Sequence, residues 1–538
     1  MSARFLTLHH PASGRAYYDA GLWRAETLYG RLMAHATARP GAPCARDGRR
    51  SLTWRELLSW VDGAAAAMRA LGLSPGDRVS LWMPNRLEAI VLYLACSREG
   101  LACNPSLHRT YTADEIAGLV SVLDSKLLLT EPGWGADRVA DPVARFGGVG
   151  SLRAVWTSES FPQPGAAVGT AAHDPDIVSY LAFTSGTTGA PKCVMHSDNT
   201  LMANARDLVR DWGHGPNSVI LTLSPVSHHI AWVAVAQWLV AGGLLALDDP
   251  PAGRTRLDWL VETGATYVMG VPTHALDILA EQRGQGMSRL GAVKVFYMAG
   301  APIAPALAEA FVKQGIKPQN VYGMTENSSH QYTHPDDPTD VIVATCGRGG
   351  RSYEVAIFDP ADRDRRVKPG EIGEIGGRGA ALMLGYFGNQ VATEGSFNST
   401  GWFLSGDLGV LDEAGNLSIV GRSKDLIIRG GHNIHPAKIE ALAVRHPGVA
   451  RAAAFAVPDP RLGERVCLAI IGDADPSELL DHLMAEGLSI YDMPERFLRL
   501  DALPLTASGK VLKRELTAMV ARGDLQVQAI RARPKETA

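Results

Sequence analysis

Short apolar runs alternate with helical apolar spacing along most of the chain. Residues 64–71 are alanine-rich and predict a helix, and Gly76-Asp77-Arg78 turns into a predicted strand at 79–83. Residues 87–96 read as a buried helix and 127–130 as another strand. Apolar runs at 219–223, 267–270 and 293–298 continue the series. Strands separated by helices predict parallel sheets of the α/β type. The stretch 230–247 carries no charge and nearly reaches bilayer-spanning length. Gln237 and Gly242-Gly243 interrupt it, which predicts a buried helix ending at the glycines and a strand at 244–247 rather than a membrane span.

The pattern changes after Gly347. Short strands at 355–358, 373–377, 408–411 and 417–420 are separated by Gly, Asp and Pro turns, as in an antiparallel, barrel-like part. From Lys424 a smaller α+β unit follows, with a helix from Pro436, strands at 449–457 and 466–471, and a helix near 478–486. From Val527 onward the chain is polar and reads as a loose tail. A length of 538 residues implies several domains or subdomains. Basic residues number 52 and acidic residues 56, with no basic block, so nucleic acid is not an expected partner. Six scattered cysteines, without a CxxC pair or zinc spacing, read as reduced cytoplasmic thiols. The first residues contain no apolar core of signal-peptide length.

The most informative segment is Ser179-Tyr-Leu-Ala-Phe-Thr-Ser-Gly-Thr-Thr-Gly-Ala-Pro-Lys192. An apolar strand runs straight into Thr184, Ser185, Gly186, Thr187, Thr188 and Gly189, with Lys192 beyond. Glycines let backbone N–H groups converge on an anion, hydroxyls add donors, and Lys192 adds positive charge. A bare Gly/Ser/Thr run can equally be a surface turn. The strand before it and the Pro-Lys after it favour phosphate binding. It is not a Walker loop, because GxxxxGK[ST] is absent from this segment.

This segment resembles the signature of the adenylate-forming superfamily, which holds acyl- and aryl-CoA synthetases, peptide-synthetase adenylation domains and firefly-type luciferases. Cys193 departs from the usual Gly after the lysine. Further motifs follow in order from about Ser51 to Glu515. Pro225-Val-Ser-His228 resembles the segment whose His lines the acyl pocket, with His229 adjacent and open to confusion with it. Met298-Ala-Gly-Ala-Pro302, with Gly300, Ala301 and Pro302, resembles the adenine-binding edge. Val321-Tyr-Gly-Met-Thr-Glu326 implies that Tyr322, Gly323 and Met324 meet adenine, that Thr325 donates to the α-phosphate, and that Glu326 holds Mg²⁺. The following Asn327-Ser-Ser-His330 is expected to border the acyl pocket. Gly401-Trp-Phe-Leu-Ser-Gly-Asp407 resembles the ribose turn, where Asp407 accepts both hydroxyls, and Arg422 reaches ribose or phosphate oxygens. Lys424 stands at the interdomain hinge. Gly430 and Gly431 leave room for pantetheine, although His432 stands where Glu is common. Leu503-Pro-Leu-Thr-Ala-Ser-Gly-Lys510 resembles the loop of the catalytic lysine.

The resemblance implies an α/β fold. A large N-terminal AMP-binding domain, residues 1–423, would hold two α/β subdomains and a distorted β-barrel. A small mobile α+β domain, 424–538, would carry Lys510. It implies ATP, Mg²⁺ and coenzyme A as cofactors, catalysis through Lys510, Thr325, Glu326 and His228, and a cytoplasmic enzyme, with a homodimer among its expected forms. The expected partner is a small carboxylic acid. His228, Val271, Ala299, Met324 and Ser328 predict a mostly apolar pocket for an uncharged aliphatic, alicyclic or aromatic acid. The stretch Met324–Asp336 is similar to cyclohexanecarboxylate–CoA ligases. Two alternatives are an acyl-AMP ligase that loads a carrier protein and a non-catalytic nucleotide-binding regulator. No serine-bearing carrier segment follows Arg514, which favours free CoA. The presence of both Glu326 and Lys510 speaks against the regulator.

Overall fold

A capping box starts the first long helix. Thr53 Oγ1 accepts from the Glu56 amide at 3.4 Å, and the Glu56 carboxylate accepts from the Thr53 amide at 2.8 Å. The helix runs Trp54–Ala70, so the alanine-rich pattern marked only its second half. The first half mixes Arg and Glu with Trp54, Leu57, Trp60 and Val61, all buried. The structure is a computed structural model and describes residues 5–8, 10–184, 191–505 and 511–531.

Among the described residues, a six-stranded sheet runs in the order Ala154–Trp156, Ser125–Thr130, Arg78–Trp82, Ala102–Asn104, Val178–Thr184, Lys192–Ser197. Only the last pair is antiparallel. An eight-stranded sheet runs Ser328–Tyr332, Lys317–Met324, Val295–Ala299, Tyr267–Gly270, Val219–Thr222, Leu244–Leu247, Pro43–Arg46, Ser51–Thr53. Its inner pairs are parallel and both edge pairs antiparallel. Parallel strands need crossovers and cover on both faces. Helix Leu87–Glu99, buried at every residue, supplies such cover. So does the uncharged helix His229–Ala241, which Gly242 ends in the left-handed region at φ 71° before the strand Leu244–Leu247. A Cβ at Gly242 would strike the His35 ring and the Arg39 guanidinium. Among the described residues no helix is long and apolar enough to cross a membrane.

By their contacts the residues divide into two compact units, 1–354 with 378–396 and 355–377 with 397–538. Both parallel sheets lie in the first. The part expected to be barrel-like forms a four-stranded sheet in the order Tyr353–Phe358, Gly373–Gly379, Phe403–Leu411, Leu417–Arg422. The second unit holds a sheet of His432–Ile434, Ile427–Arg429, Gly463–Gly472, Arg496–Arg499 and Gln528–Ala529, with Val449–Asp459 paired to Gly463–Gly472. The tail expected to be loose from Val527 is therefore partly ordered. Gln528 and Ala529 pair with Phe497 and Arg496, because an open strand edge offers backbone groups that even a polar segment satisfies.

In the first unit's core, Trp54 and Trp238 stack with centroids 5.1 Å apart and planes 7° from parallel. Both are fully buried. Trp238→Ala is expected to cost about 3–5 kcal/mol by loss of transfer energy and an unfilled cavity. Urea unfolding measures it, and a loss under about 1 kcal/mol would mean that this stack does not organise the core.

Candidate active site

In the first unit the predicted groups lie where parallel strands end. Thr184 closes the strand Val178–Thr184, and Gly300 follows Val295–Ala299. His228 lies beyond Val219–Thr222, and Val271 directly follows Tyr267–Gly270. In open α/β sheets ligands bind in the crevice at such carboxyl ends.

Thr184 pairs with Lys192 across the antiparallel edge, and its hydroxyl donates to the Lys192 carbonyl at 3.4 Å. This pairing sets Thr184 and Lys192, the described residues flanking the Gly/Ser/Thr segment, side by side. Ser185, Gly186, Thr187, Thr188 and Gly189 lie outside the described residues, as does Lys510. Cys193, the departure from the usual glycine, is buried in the apolar cluster with Leu181, Phe183 and Met195. Burial pushes its thiol far up, so it serves as a small apolar group.

The Lys192 ammonium lies 4.7 Å from the Tyr386 ring centroid. The Tyr386 hydroxyl donates to Glu326 Oε1 at 2.9 Å, and the Glu326 carbonyl accepts from the Met383 amide at 2.7 Å. One phenol thus serves both a cation and a buried carboxylate. A single hard carboxylate suits Mg²⁺, which keeps waters and binds mainly through substrate phosphates. No group of three or more potential ligands occurs among the described residues. A lone carboxylate of this kind fits a magnesium ion that arrives with a nucleotide rather than an all-protein cage.

The turn before Glu326 is built tightly. A Cβ on Gly323 would sit 1.7 Å from the Ser328 carbonyl oxygen, so no side chain fits there. Asn327 Oδ1 accepts from the Met324 amide at 3.0 Å, and Ser328 takes a left-handed φ of 56°. Thr325 is held from beneath by His196, whose Nε2 donates to the Thr325 carbonyl at 2.6 Å. A carbonyl only accepts, so Nε2 carries the proton and Nδ1 takes the Thr200 hydroxyl at 3.0 Å. Tyr322 is half-buried, with the His330 ring edge-on at 5.5 Å. Ala301 and Pro302 are exposed in the loop after Gly300, whose φ is 86°.

The two adjacent histidines separate cleanly. His229 is bonded to the Tyr180 hydroxyl and the Ser328 hydroxyl, each at 3.0 Å, and stacks on His196. It belongs to the interior. His228 is the N-cap of helix His229–Ala241, half-buried, with the His108 ring 4.8 Å away at 87°. Burial first, then His228, holds His108 down at about 4, and burial first, then Arg256 and His228, holds His274 at about 4. Of the segment expected to border the acyl pocket, Asn327, Ser329 and His330 instead point into packed interior. Asn327 donates to Tyr353, Ser329 bonds Tyr297, and His330 packs on the Tyr353 ring.

In the second unit, Asp407 and Arg422 sit opposite each other, with Arg422 Nε donating to Asp407 Oδ1 at 3.1 Å. Lys424 lies in the 3-10 turn Ser423–Asp425. Gly430 and Gly431 form the turn of a hairpin, at φ 58° and 86°. A Cβ on Gly431 would meet nothing within 4 Å, so this glycine serves its backbone angle and leaves the surface open. His432 bonds Asp492 at 2.8 Å.

Sequence reasoning missed His196, Tyr386, His108 and His274. Tyr386 lies 60 residues from Glu326, and no spacing rule joins them. The motif series could have directed attention to His196, four residues past Lys192 on the same strand.

A model of the AMP-binding enzyme family matches residues 32–387, and one of its C-terminal domain matches 438–510. The chain belongs to the AMP-binding enzyme family. A salicylyl-CoA synthase / salicylate adenylyltransferase from a Streptomyces species is 31% identical over 543 residues, covering 96% of this chain and 97% of that one. The o-succinylbenzoate CoA synthetase of Bacillus subtilis, solved with its acyl-adenylate intermediate, superposes with a TM-score of 0.81 at 25% identity. The match covers 95% of this chain and 99% of that one. With ATP and a magnesium ion the same protein gives a TM-score of 0.80 at 26% identity, over 90% and 98% of the two chains. The expected adenylate-forming resemblance and α/β fold are borne out. So are the reaction class, ATP-dependent acyl-CoA formation through an adenylate, and the cofactors ATP, Mg²⁺ and CoA.

In this member of the family, His196 is a neutral post under the Thr325 turn. Burial lowers its pKa from 6.5 to about 4. The unfolded chain takes up a proton that the folded one refuses. Stability is therefore complete above 6.5 and falls as the pH drops from there toward 4. His196→Gln keeps a donor for Thr325 without titrating. It should flatten the acid slope of unfolding free energy by up to about 1.4 kcal/mol per pH unit. An unchanged slope between pH values of about 6 and 5 would show that His196 is not held neutral.

Proposed function

We propose that this protein is a cytoplasmic acid–CoA ligase whose acid carries no second charge: an aliphatic, alicyclic or aromatic acid. The salicylyl-CoA relative favours the aromatic class. The observation that carries the acid's class is the neutral wall around His228. His108 and His274 are held uncharged beside it, and Val271, Ala299, Met324 and Ser328 bring no Lys, Arg, Asp or Glu. Among Val271, Ala299, Met324 and Ser328, with His108 and His274 held neutral, a second carboxylate would find no cation.

A carboxylate is a poor electrophile, because its leaving group would be oxide. Attack of its oxygen on the α-phosphorus expels pyrophosphate and makes AMP a good leaving group. Both reactants are anionic, so oriented donors and positive charge must offset their repulsion. In this reading Thr184 to Gly189 and Lys192 hold the β- and γ-phosphates, Thr325 donates to the α-phosphate, and Lys510 meets charge on the oxygens in flight. Glu326 holds the metal, which neutralises phosphate charge when bound. Gly300, Ala301, Pro302, Tyr322, Gly323 and Met324 bed adenine, and Asp407 with Arg422 takes ribose. Holding both reactants in line is worth on the order of 7–11 kcal/mol in favourable cases.

In the second step the CoA thiolate attacks the acyl carbonyl and AMP leaves. Lys510 has no part in that step, and Gly430 and Gly431 admit pantetheine. Residues 1–423 then act as the AMP-binding domain and 424–538 as the mobile one, turning at Lys424.

Lys510→Ala should lower acid-dependent ATP–pyrophosphate exchange by about 100-fold or more while sparing thioester formation from supplied acyl-adenylate. Unchanged exchange rules out the catalytic role. Lys424→Pro should do the reverse, and equal loss in both half-reactions removes the hinge assignment. A panel of acids, read by CoA-dependent AMP release, tests the substrate class. Benzoate-like or cyclohexanecarboxylate-like acids should lead, whereas a dicarboxylate in first place would refute the neutral pocket.

A further inference from the structure

Away from every group assigned above, the first unit holds a recess of about 240 Å³ lined by Arg24, Glu26, Arg31, Arg206 and Arg210, with Val209 and Val240 as its apolar wall. Helices Leu28–Ala38, Asp198–Asp211 and His229–Ala241 contribute Arg31, Arg206 and Val240 to it. The charges there do not balance. Arg210 is matched: its Nε and Nη2 donate to Asp211 at 2.7 and 2.9 Å, and its Nη1 to Asp207 at 2.8 Å. Glu26, in contrast, is divided between Arg31 at 3.2 Å and Arg206 at 3.3 Å. The Arg24 guanidinium makes no ion pair with any described residue. Three guanidinium groups therefore face one carboxylate.

Arg206 shows the strain of that arrangement. Its side chain is only 11% exposed. Its Nη1 already donates to the Leu22 carbonyl at 3.1 Å. Burial first, and Arg24 second, lower its pKa to about 10. A guanidinium resists losing its proton, so the excess charge is better met by an anion than by deprotonation. Planar N–H forks match the paired oxygens of phosphate. The recess is below the roughly 300–1,000 Å³ of organic cofactor pockets, which points to a small inorganic ion.

We propose that this recess is a binding site for a phosphate-class oxyanion, held between Arg24 and Arg206 and distinct from the nucleotide groups. The proposal does not rest on the ligase reading. The ion has two sources, free inorganic phosphate and the pyrophosphate that the reaction releases.

The test uses the full chain with the nucleotide site saturated by a non-hydrolysable ATP analogue and magnesium. Inorganic phosphate, pyrophosphate and chloride are titrated separately at matched ionic strength, with thermal shift and calorimetry as readouts. Phosphate or pyrophosphate should raise the melting temperature where chloride does not, and the tighter of the two identifies the source. Arg24 is exposed, so Arg24→Glu should fold. It supplies the missing negative charge, so the melting temperature without phosphate should stay level or rise while oxyanion binding weakens at least about tenfold. Equal responses to all three salts, or oxyanion binding unchanged in Arg24→Glu, would overturn the site.

Discussion

The hydrogen bond from His196 to the Thr325 carbonyl joins two segments of the first unit that lie in different sheets. His196 stands on the strand Lys192–Ser197, which forms one side of the phosphate loop. Thr325 belongs to the turn that presents Glu326. A rigid neutral imidazole therefore ties the six-stranded sheet to the eight-stranded sheet between Lys192 and the turn that carries Glu326. Its neutrality matters, because a protonated ring would bring an unpaired charge beneath a site already committed to Lys192. Stacking of His229 on the same ring, and the bond from His229 to Ser328, extend the post to the edge strand Ser328–Tyr332.

A second clamp acts at the other end of the same strands. The buried carboxylate of Asp198 accepts from the Leu28 amide at 2.8 Å, the Ser97 hydroxyl at 2.7 Å and the Ser179 hydroxyl at 2.6 Å. These partners come from the helix Leu28–Ala38, the buried helix Leu87–Glu99 and the strand Val178–Thr184. Burial raises the carboxyl's pKa, and the three donors oppose that rise. Loss of one donor would leave a buried oxygen short of a partner, at a cost of about 1–3 kcal/mol. The strands Val178–Thr184 and Lys192–Ser197 are thus tied together at the end where Asp198 lies.

The second unit shows a different economy of charge. Asp407 and Arg422 already pair, and Glu440 holds Lys513 at 2.7 Å while accepting from the Ala454 amide. Groups that the motif series assigns to ribose or phosphate are paired with each other across adjacent strands.

Much of the chain was legible without coordinates. Alternating apolar runs announced parallel sheets because a strand buried on both faces must be apolar throughout, as at Val79, Leu127 and Val268. The motifs were legible because phosphate, metal and close backbone approach each restrict residue type locally. Gly323 is the clearest instance, since a neighbouring carbonyl leaves no room for a Cβ. What the sequence could not carry was pairing at a distance. Nothing in local spacing separates His228 from His229, predicts that Gln528 and Ala529 close a sheet edge, or joins Tyr386 to Glu326. Those outcomes depend on which surfaces the folded chain brings within hydrogen-bond reach, and that is decided by packing of elements far apart in sequence. The sequence alone determined the fold class and the reaction's chemistry; the tertiary structure decided which of the adjacent histidines is locked in the interior and which caps a helix, because burial and partners, not residue type, set an imidazole's role.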